Sequence, residues 1–72
     1  EIDNANELVK SALKNYGANG DLFYIYARLK KLNNDIDGYI NNLNRALENN
    51  DTLSIQPSIV KAELDKQIKN IN

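Results

Sequence analysis

The chain has 72 residues, of which 42% are hydrophobic and 26% are charged, and its formal net charge is −1. This length permits one small hydrophobic core. Because the chain contains no Cys and no His, it can form no disulfide, and it lacks both the usual neutral-pH acid–base catalyst and the commonest transition-metal ligands. We therefore expect no enzymatic activity, no metal and no cofactor.

The composition also restricts the kinds of partner. No apolar run approaches the roughly 18 to 20 residues of a membrane span, so we expect no membrane insertion. The near-neutral charge argues against nucleic-acid binding, which favours a basic surface. Because the sequence starts at Glu1 and has no Met, we expect it to be a segment of a larger bacterial protein.

The first predicted helix covers about residues 4–16. Its apolar residues follow the i, i+3, i+4, i+7, i+8 spacing of one buried helix face. They are Ala5, Leu8, Val9, Ala12 and Leu13. We expect Asp3 to cap the start of this helix, and Gly17 and Gly20 to supply the positive-φ positions that end it.

The second and third predicted helices cover about residues 21–33 and 36–50. Asp21 is the expected cap of the second helix, whose apolar surface is broad enough to predict packing on two flanks. That surface comprises Leu22, Phe23, Ile25, Tyr26, Ala27, Leu29 and Leu32. Asp35 or Asp37 caps the third helix, which has one apolar face made of Ile36, Tyr39, Ile40, Leu43, Ala46 and Leu47.

The fourth predicted helix covers about residues 57–71. Pro57 fits its first turn, where a missing N–H costs no hydrogen bond. A narrow apolar stripe follows, made of Val60, Leu64, Ile68 and Ile71. Since no segment alternates like a strand, we predict an all-α fold of four short antiparallel helices.

The sequence also contains an internal repeat. A shift of 34 positions aligns identical residues in the first and third helices and in the second and fourth. The pairs are Ile2 with Ile36, Asp3 with Asp37, Ala12 with Ala46, Leu13 with Leu47, Asn15 with Asn49, and Ile25 with Ile59. The first and third helices are therefore interpreted as versions of one another.

A helix-turn-helix unit of this period resembles the tetratricopeptide repeat (TPR). Residues 20–51 match one complete repeat, with an early aromatic residue, a small residue, a polar turn and a late Ala-Leu pair. The matching residues are Phe23, Ala27, Asn34-Asp35, Leu43 at the late aromatic position, Ala46-Leu47, and Asp51 in place of the usual Pro. The resemblance implies a single TPR-like domain over residues 1–72, a solenoid fragment of about two repeats.

The same resemblance implies a non-catalytic protein–protein interaction scaffold that binds a peptide or a partner protein. The positions that would line its groove are Tyr24, Arg28, Lys31, Ser58 and Ala62. Tyr24, Arg28 and Lys31 share one helix face, where an aromatic ring beside two cations suits an extended ligand with a carboxylate. We predict partner binding by Tyr24, Arg28, Lys31 and Ser58; the alternative is that the cations only solvate an exposed face.

Two other functions remain open. A chain of about two repeats leaves apolar surface on its end helices, which could support self-association into a homo-oligomer. A helix-turn-helix regulator is the alternative of another class, with the second and third helices contacting nucleic acid. Its exposed polar residues would be Asn41, Asn42, Asn44 and Arg45.

Overall fold

A computed structural model describes residues 2–71, with side chains described for residues 3–69. Its four α-helices are α1 (Ile2–Tyr16), α2 (Gly20–Leu32), α3 (Ile36–Glu48) and α4 (Pro57–Ile71), and a 3₁₀ turn at Asn50–Thr52 precedes α4. No strand occurs within residues 2–71, which confirms the all-α prediction. The helices form a flat body with extents of 35 × 27 × 14 Å.

Helices that are consecutive in the sequence are neighbours in space. α1 contacts α2, α2 packs most extensively on α3, and α3 contacts α4. α2 therefore packs on two flanks, as its broad apolar surface predicts. The core lies among α2, α3 and α4 and consists of the buried residues Ala27, Tyr39, Leu43, Val60 and Leu64.

α1 buries less of its predicted stripe. Val9 is buried, but Leu8 is 72% exposed, so the prediction that Leu8 belongs to the buried face is wrong. The reason is geometric: α2 is the main neighbour of α1, and Leu8 lies about 100° around the helix from Val9. Asp3 lies inside the first turn of α1 rather than before it, so the prediction that it caps this helix is also wrong.

The start of α2 differs from the prediction at two residues. Asn19, not Asp21, is the N-cap, and its side chain accepts a hydrogen bond from the Leu22 amide at 3.1 Å. Asp21 instead accepts hydrogen bonds from the Ser54 amide and hydroxyl, both at 2.6 Å. These two bonds tie the segment before α4 to the start of α2, and the hydroxyl bond is the larger cause of the lowered pKa of Asp21.

The two glycines flanking the first turn have different roles. Gly17 has φ +80° and ends α1, as predicted. Gly20 has no positive φ; it is the first residue of α2 and is buried. A Cβ there would clash with the Asn49 carbonyl oxygen and lie 2.9 Å from the Leu53 Cβ. Gly20 is therefore required by close packing and not by backbone conformation.

The later helix starts agree with the prediction. Asp35 caps α3 by accepting a hydrogen bond from the Gly38 amide at 2.9 Å, and Pro57 is the first residue of α4. The apolar stripe of α4 is buried at Val60 and Leu64, whereas Ile68 is 45% exposed. The side chain of Ile71, the last member of that stripe, lies outside the described side chains.

Candidate partner-binding site

A carboxylate from α4 lies at the centre of the predicted binding face of α2. Glu63 Oε2 accepts a hydrogen bond from the Tyr24 hydroxyl at 2.5 Å. Glu63 Oε1 accepts one from Arg28 Nη1 at 2.8 Å and one from the Tyr39 hydroxyl at 2.7 Å. We call these four residues the carboxylate cluster.

Helical spacing and core packing together build this cluster. Tyr24 and Arg28 are four residues apart on α2, so they project from the same face. On α4, the buried residues Val60 and Leu64 flank Glu63 and hold the helix against the core. Glu63 is thereby placed at the edge of the core, where its side chain is only 22% exposed.

The surroundings of Glu63 favour its ionised form. Burial is the largest single influence and raises the pKa of Glu63, but the opposing influences together outweigh it and the pKa is lowered. They are the hydrogen bonds from Tyr24 and Tyr39, followed by the charges of Arg28 and Lys31. Burial, and then the hydrogen bond to Glu63, raises the pKa of Tyr39 to about 12. The cluster thus holds a carboxylate against hydroxyls that stay protonated.

An open groove continues from the cluster along α2. Arg28, Lys31 and Leu32 line it, and its volume is about 410 Å³; we call it the cationic groove. The Arg28 side chain is 52% exposed and Leu32 is 67% exposed. Lys31 Nζ lies 5.2 Å from the centroid of the Tyr39 ring, a cation–π contact, and has no ion pair among the described residues.

The predicted site residues are therefore only partly brought together. Tyr24, Arg28 and Lys31 do share one region. Ser58 is exposed and lies about 140° around α4 from Glu63, so it faces away from the other three. Ala62 lies about 100° from Glu63 and is also exposed.

Sequence reasoning missed Glu63 and Tyr39 as members of the site. Tyr39 is almost completely buried, and its hydroxyl is the part that reaches Glu63. A signal for Glu63 was present: it lies three residues after Val60 and one before Leu64, which places a carboxylate beside the apolar stripe of α4. A charged residue at that position requires a partner on the facing helices.

The described part of the chain supplies no metal site, because no group of three or more His, Cys, Asp or Glu side chains in it could hold an ion. None of the helices described is both long enough and apolar enough to cross a membrane. Comparisons with protein-family models, with curated proteins and with solved structures find no match to this chain.

Proposed function

We propose that this chain is a non-catalytic protein–protein interaction scaffold of TPR-like architecture. It binds, through the cationic groove, a partner segment that carries a carboxylate beside an apolar side chain. The observation that carries this proposal is the groove itself, in which two cations and the exposed Leu32 line a volume of about 410 Å³. Tyr24 lies beside Arg28, whose guanidinium carbon is 5.9 Å from the centroid of the Tyr24 ring, and Ser58 does not belong to this site.

The carboxylate cluster supports this choice of ligand. Arg28 uses Nη1 for Glu63, and a guanidinium has five N–H donors, so donors remain for a second carboxylate on its exposed side. Lys31 adds a second positive charge beside it. Leu32 offers an apolar side chain to a neighbouring residue of the partner, because its burial on binding is favourable.

The helix positions support the repeat architecture. A shift of 34 residues moves the end of α1 at Tyr16 to Asn50, two residues after the end of α3 at Glu48. The same shift moves Gly20, the start of α2, onto Ser54, three residues before α4 begins at Pro57. The 3₁₀ turn and the loop after it account for this difference of three residues. We infer that α1 and α3 are equivalent helices of successive repeats.

A titration followed by NMR tests the binding proposal. The full chain is ¹⁵N-labelled and titrated with a capped heptapeptide in which Asp and Leu alternate. We expect shifts at Arg28, Lys31 and Leu32, and about threefold weaker binding for Lys31→Gln, since one exposed ion pair is lost. Lys61→Gln, at an exposed position on α4, is the control and should bind as the parent does. A heptapeptide with Asn in place of Asp that bound equally well would contradict the proposal.

Self-association is the second candidate function, favoured by the exposure of large apolar side chains. Leu8 and Leu32 are 72% and 67% exposed, and Tyr16 is 82% exposed. Burying such residues between two copies would stabilise a dimer. Sedimentation of the full chain over a range of concentrations tests this: a dimer that Leu8→Ser converts to a monomer supports it, and a monomer at all concentrations argues against it.

The nucleic-acid alternative is weakened by the packing of α3, which contacts both α2 and α4. That alternative needs α3 to present its amides to a groove of DNA. The Nδ2 of Asn42 instead donates to the Gly38 carbonyl oxygen at 2.8 Å. Tyr39, Leu43 and Ala46 of the same helix are buried in the protein, so α3 is mainly a core helix.

A further inference from the structure

A second groove lies on the other side of the α2–α3 pair, away from α4. Side chains three and four residues apart on each helix form its walls, and Leu13 of α1 closes one side. We name it the amide groove; the residues that matter here are Leu13, Phe23, Tyr26, Lys30, Asn42 and Arg45. Its volume is about 410 Å³. The stretch of α2 from Phe23 to Lys30 is about 10 Å long, which matches about three residues of extended peptide.

The buried amide of Asn42 presents a hydrogen-bond acceptor to this groove. The Gly38 carbonyl oxygen can only accept, so it must face Nδ2 of Asn42, and Oδ1 is then the free end of the amide. Oδ1 accepts no hydrogen bond from the residues that the structure describes. Asn42 is only 6% exposed and lines the groove, so the bond from Nδ2 to Gly38 fixes its amide and leaves Oδ1 as its remaining acceptor.

The charges of the groove favour an acidic occupant. Arg45 lies over the Phe23 ring at 5.8 Å and Lys30 over the Tyr26 ring at 5.0 Å. Lys30 also faces Asp35 at 3.7 Å, whereas Arg45 has no ion pair within the described part of the chain. The end of the groove at Arg45 therefore carries an unmatched positive charge beside an aromatic ring.

We propose that the amide groove binds an extended segment of a partner protein. Asn42 Oδ1 accepts a main-chain N–H of that segment, and Arg45 holds an acidic side chain at one end. An apolar side chain between them packs against Phe23 and Leu13. This site uses different residues from the cationic groove, so neither proposal depends on the other.

A peptide fits these features better than a single-stranded nucleic acid. Every residue of a peptide except proline has a main-chain N–H to donate, whereas the sugar–phosphate backbone of DNA has only acceptors. The chain as a whole has a charge of −1, and non-specific nucleic-acid binding depends on excess positive charge.

The test uses the full chain and two forms of one capped heptapeptide with alternating Asp and Leu. The second form has N-methyl groups on its three central main-chain nitrogens. For the first form we expect NMR shifts at Phe23, Asn42 and Arg45. N-methylation should weaken binding at these residues about tenfold, because it removes the donor for Asn42. Shifts at Arg28 and Lys31 should persist, since they depend on charge.

Two variants sharpen this test. Asn42→Leu removes the acceptor at similar volume and should abolish the difference between the two peptide forms. Arg45→Gln, at an exposed position, should weaken binding about fivefold, while the control Lys66→Gln on α4 should have no effect. Equal binding of both peptide forms to the parent chain overturns the proposal. So does binding of a ten-residue oligothymidylate at Arg45 without binding of either peptide.

Discussion

The two sides of the α2–α3 pair differ sharply in how well they are packed. On the α4 side, Leu43 and Val60 are fully buried, and the one carboxylate that enters the interface, Glu63, accepts three hydrogen bonds. On the α1 side, Val9 is buried but Leu8 is exposed. The buried Oδ1 of Asn6 there has no hydrogen-bond partner among the described residues.

This difference shows where the stability of the fold resides. The core cluster of buried residues comes from α2, α3 and α4, and the buried Val9 of α1 lies outside it. We expect local opening to start at α1, because none of its described side chains belongs to that cluster. The two proposed grooves differ in the same way. The cationic groove is lined by residues of α2 next to the well-packed side, whereas the amide groove is lined in part by Leu13 of α1.

The largest expected effect is that of Leu43→Ala. Leu43 is fully buried in the shared core, so the substitution should lower the free energy of unfolding by about 2–5 kcal/mol. Leu8→Ala is the matched control on the α1 side and should change it by less than about 0.5 kcal/mol, since Leu8 is largely exposed. Urea unfolding followed by circular dichroism measures both, and equal losses would show that the two sides are packed alike.

Tyr39→Phe should have the next largest effect. It removes a buried hydroxyl that donates to a carboxylate, which should cost about 1.5–3 kcal/mol near neutral pH. The pKa of Tyr39 is raised from 10.0 to about 12, so its contribution is complete below pH 10 and is lost as the pH rises towards 12. The variant should lack this alkaline loss. Tyr16→Phe, at a position 82% exposed, should behave like the parent chain.

Glu63→Gln should cost about 1–2 kcal/mol at pH 7, because the charge is lost and the single amide oxygen can replace only one of the two oxygens that accept from Tyr24 and Tyr39. The folded-state pKa of Glu63 is below its ordinary value of 4.5. Its contribution is therefore present above pH 4.5 and is lost as the pH falls below that value. Acid titration of unfolding should show a smaller loss in this variant than in the exposed control Glu48→Gln. Identical acid profiles would contradict the assigned role of Glu63.

The smallest expected effect is a gain on the α1 side. Asn6→Leu removes a buried oxygen that has no partner among the described residues and replaces it with an apolar side chain at a half-buried position. We expect about 1 kcal/mol of added stability. Asn4→Leu, at an exposed position of the same helix, should change the unfolding free energy by less than about 0.5 kcal/mol. A loss of stability in Asn6→Leu would mean that this amide is satisfied in solution.

Much of the fold could be predicted from local signals. Four helices and the start of α4 at Pro57 depend on residues near each other in the sequence, and both are confirmed; of the two predicted caps of α3, Asp35 and Asp37, the structure has Asp35. The errors at Asp21 and Gly20 have a different origin. Both residues form hydrogen bonds with the segment before α4, which is more than 30 positions away in the sequence. A local sequence pattern cannot indicate such a contact.

Only the part of the candidate site that lies on α2 could be predicted from the sequence. The spacing of Tyr24, Arg28 and Lys31 places them on one face of α2, and the structure finds them in one region. The groups that complete the region, Tyr39 and Glu63, come from two other helices. Spacing within a helix cannot indicate which residues of other helices will face it, because that depends on how the helices pack.

By itself, the sequence determined an all-α chain, the approximate extent of its helices and the side of α2 that carries its cations, because these follow from periodicity and local hydrogen bonding. The tertiary structure alone decided that Glu63 would pair with Arg28, that Asn42 would be buried beside a groove and that Leu8 would be left exposed. Each of these depends on which helices become neighbours and at what rotation, and that is settled by the burial of the shared core.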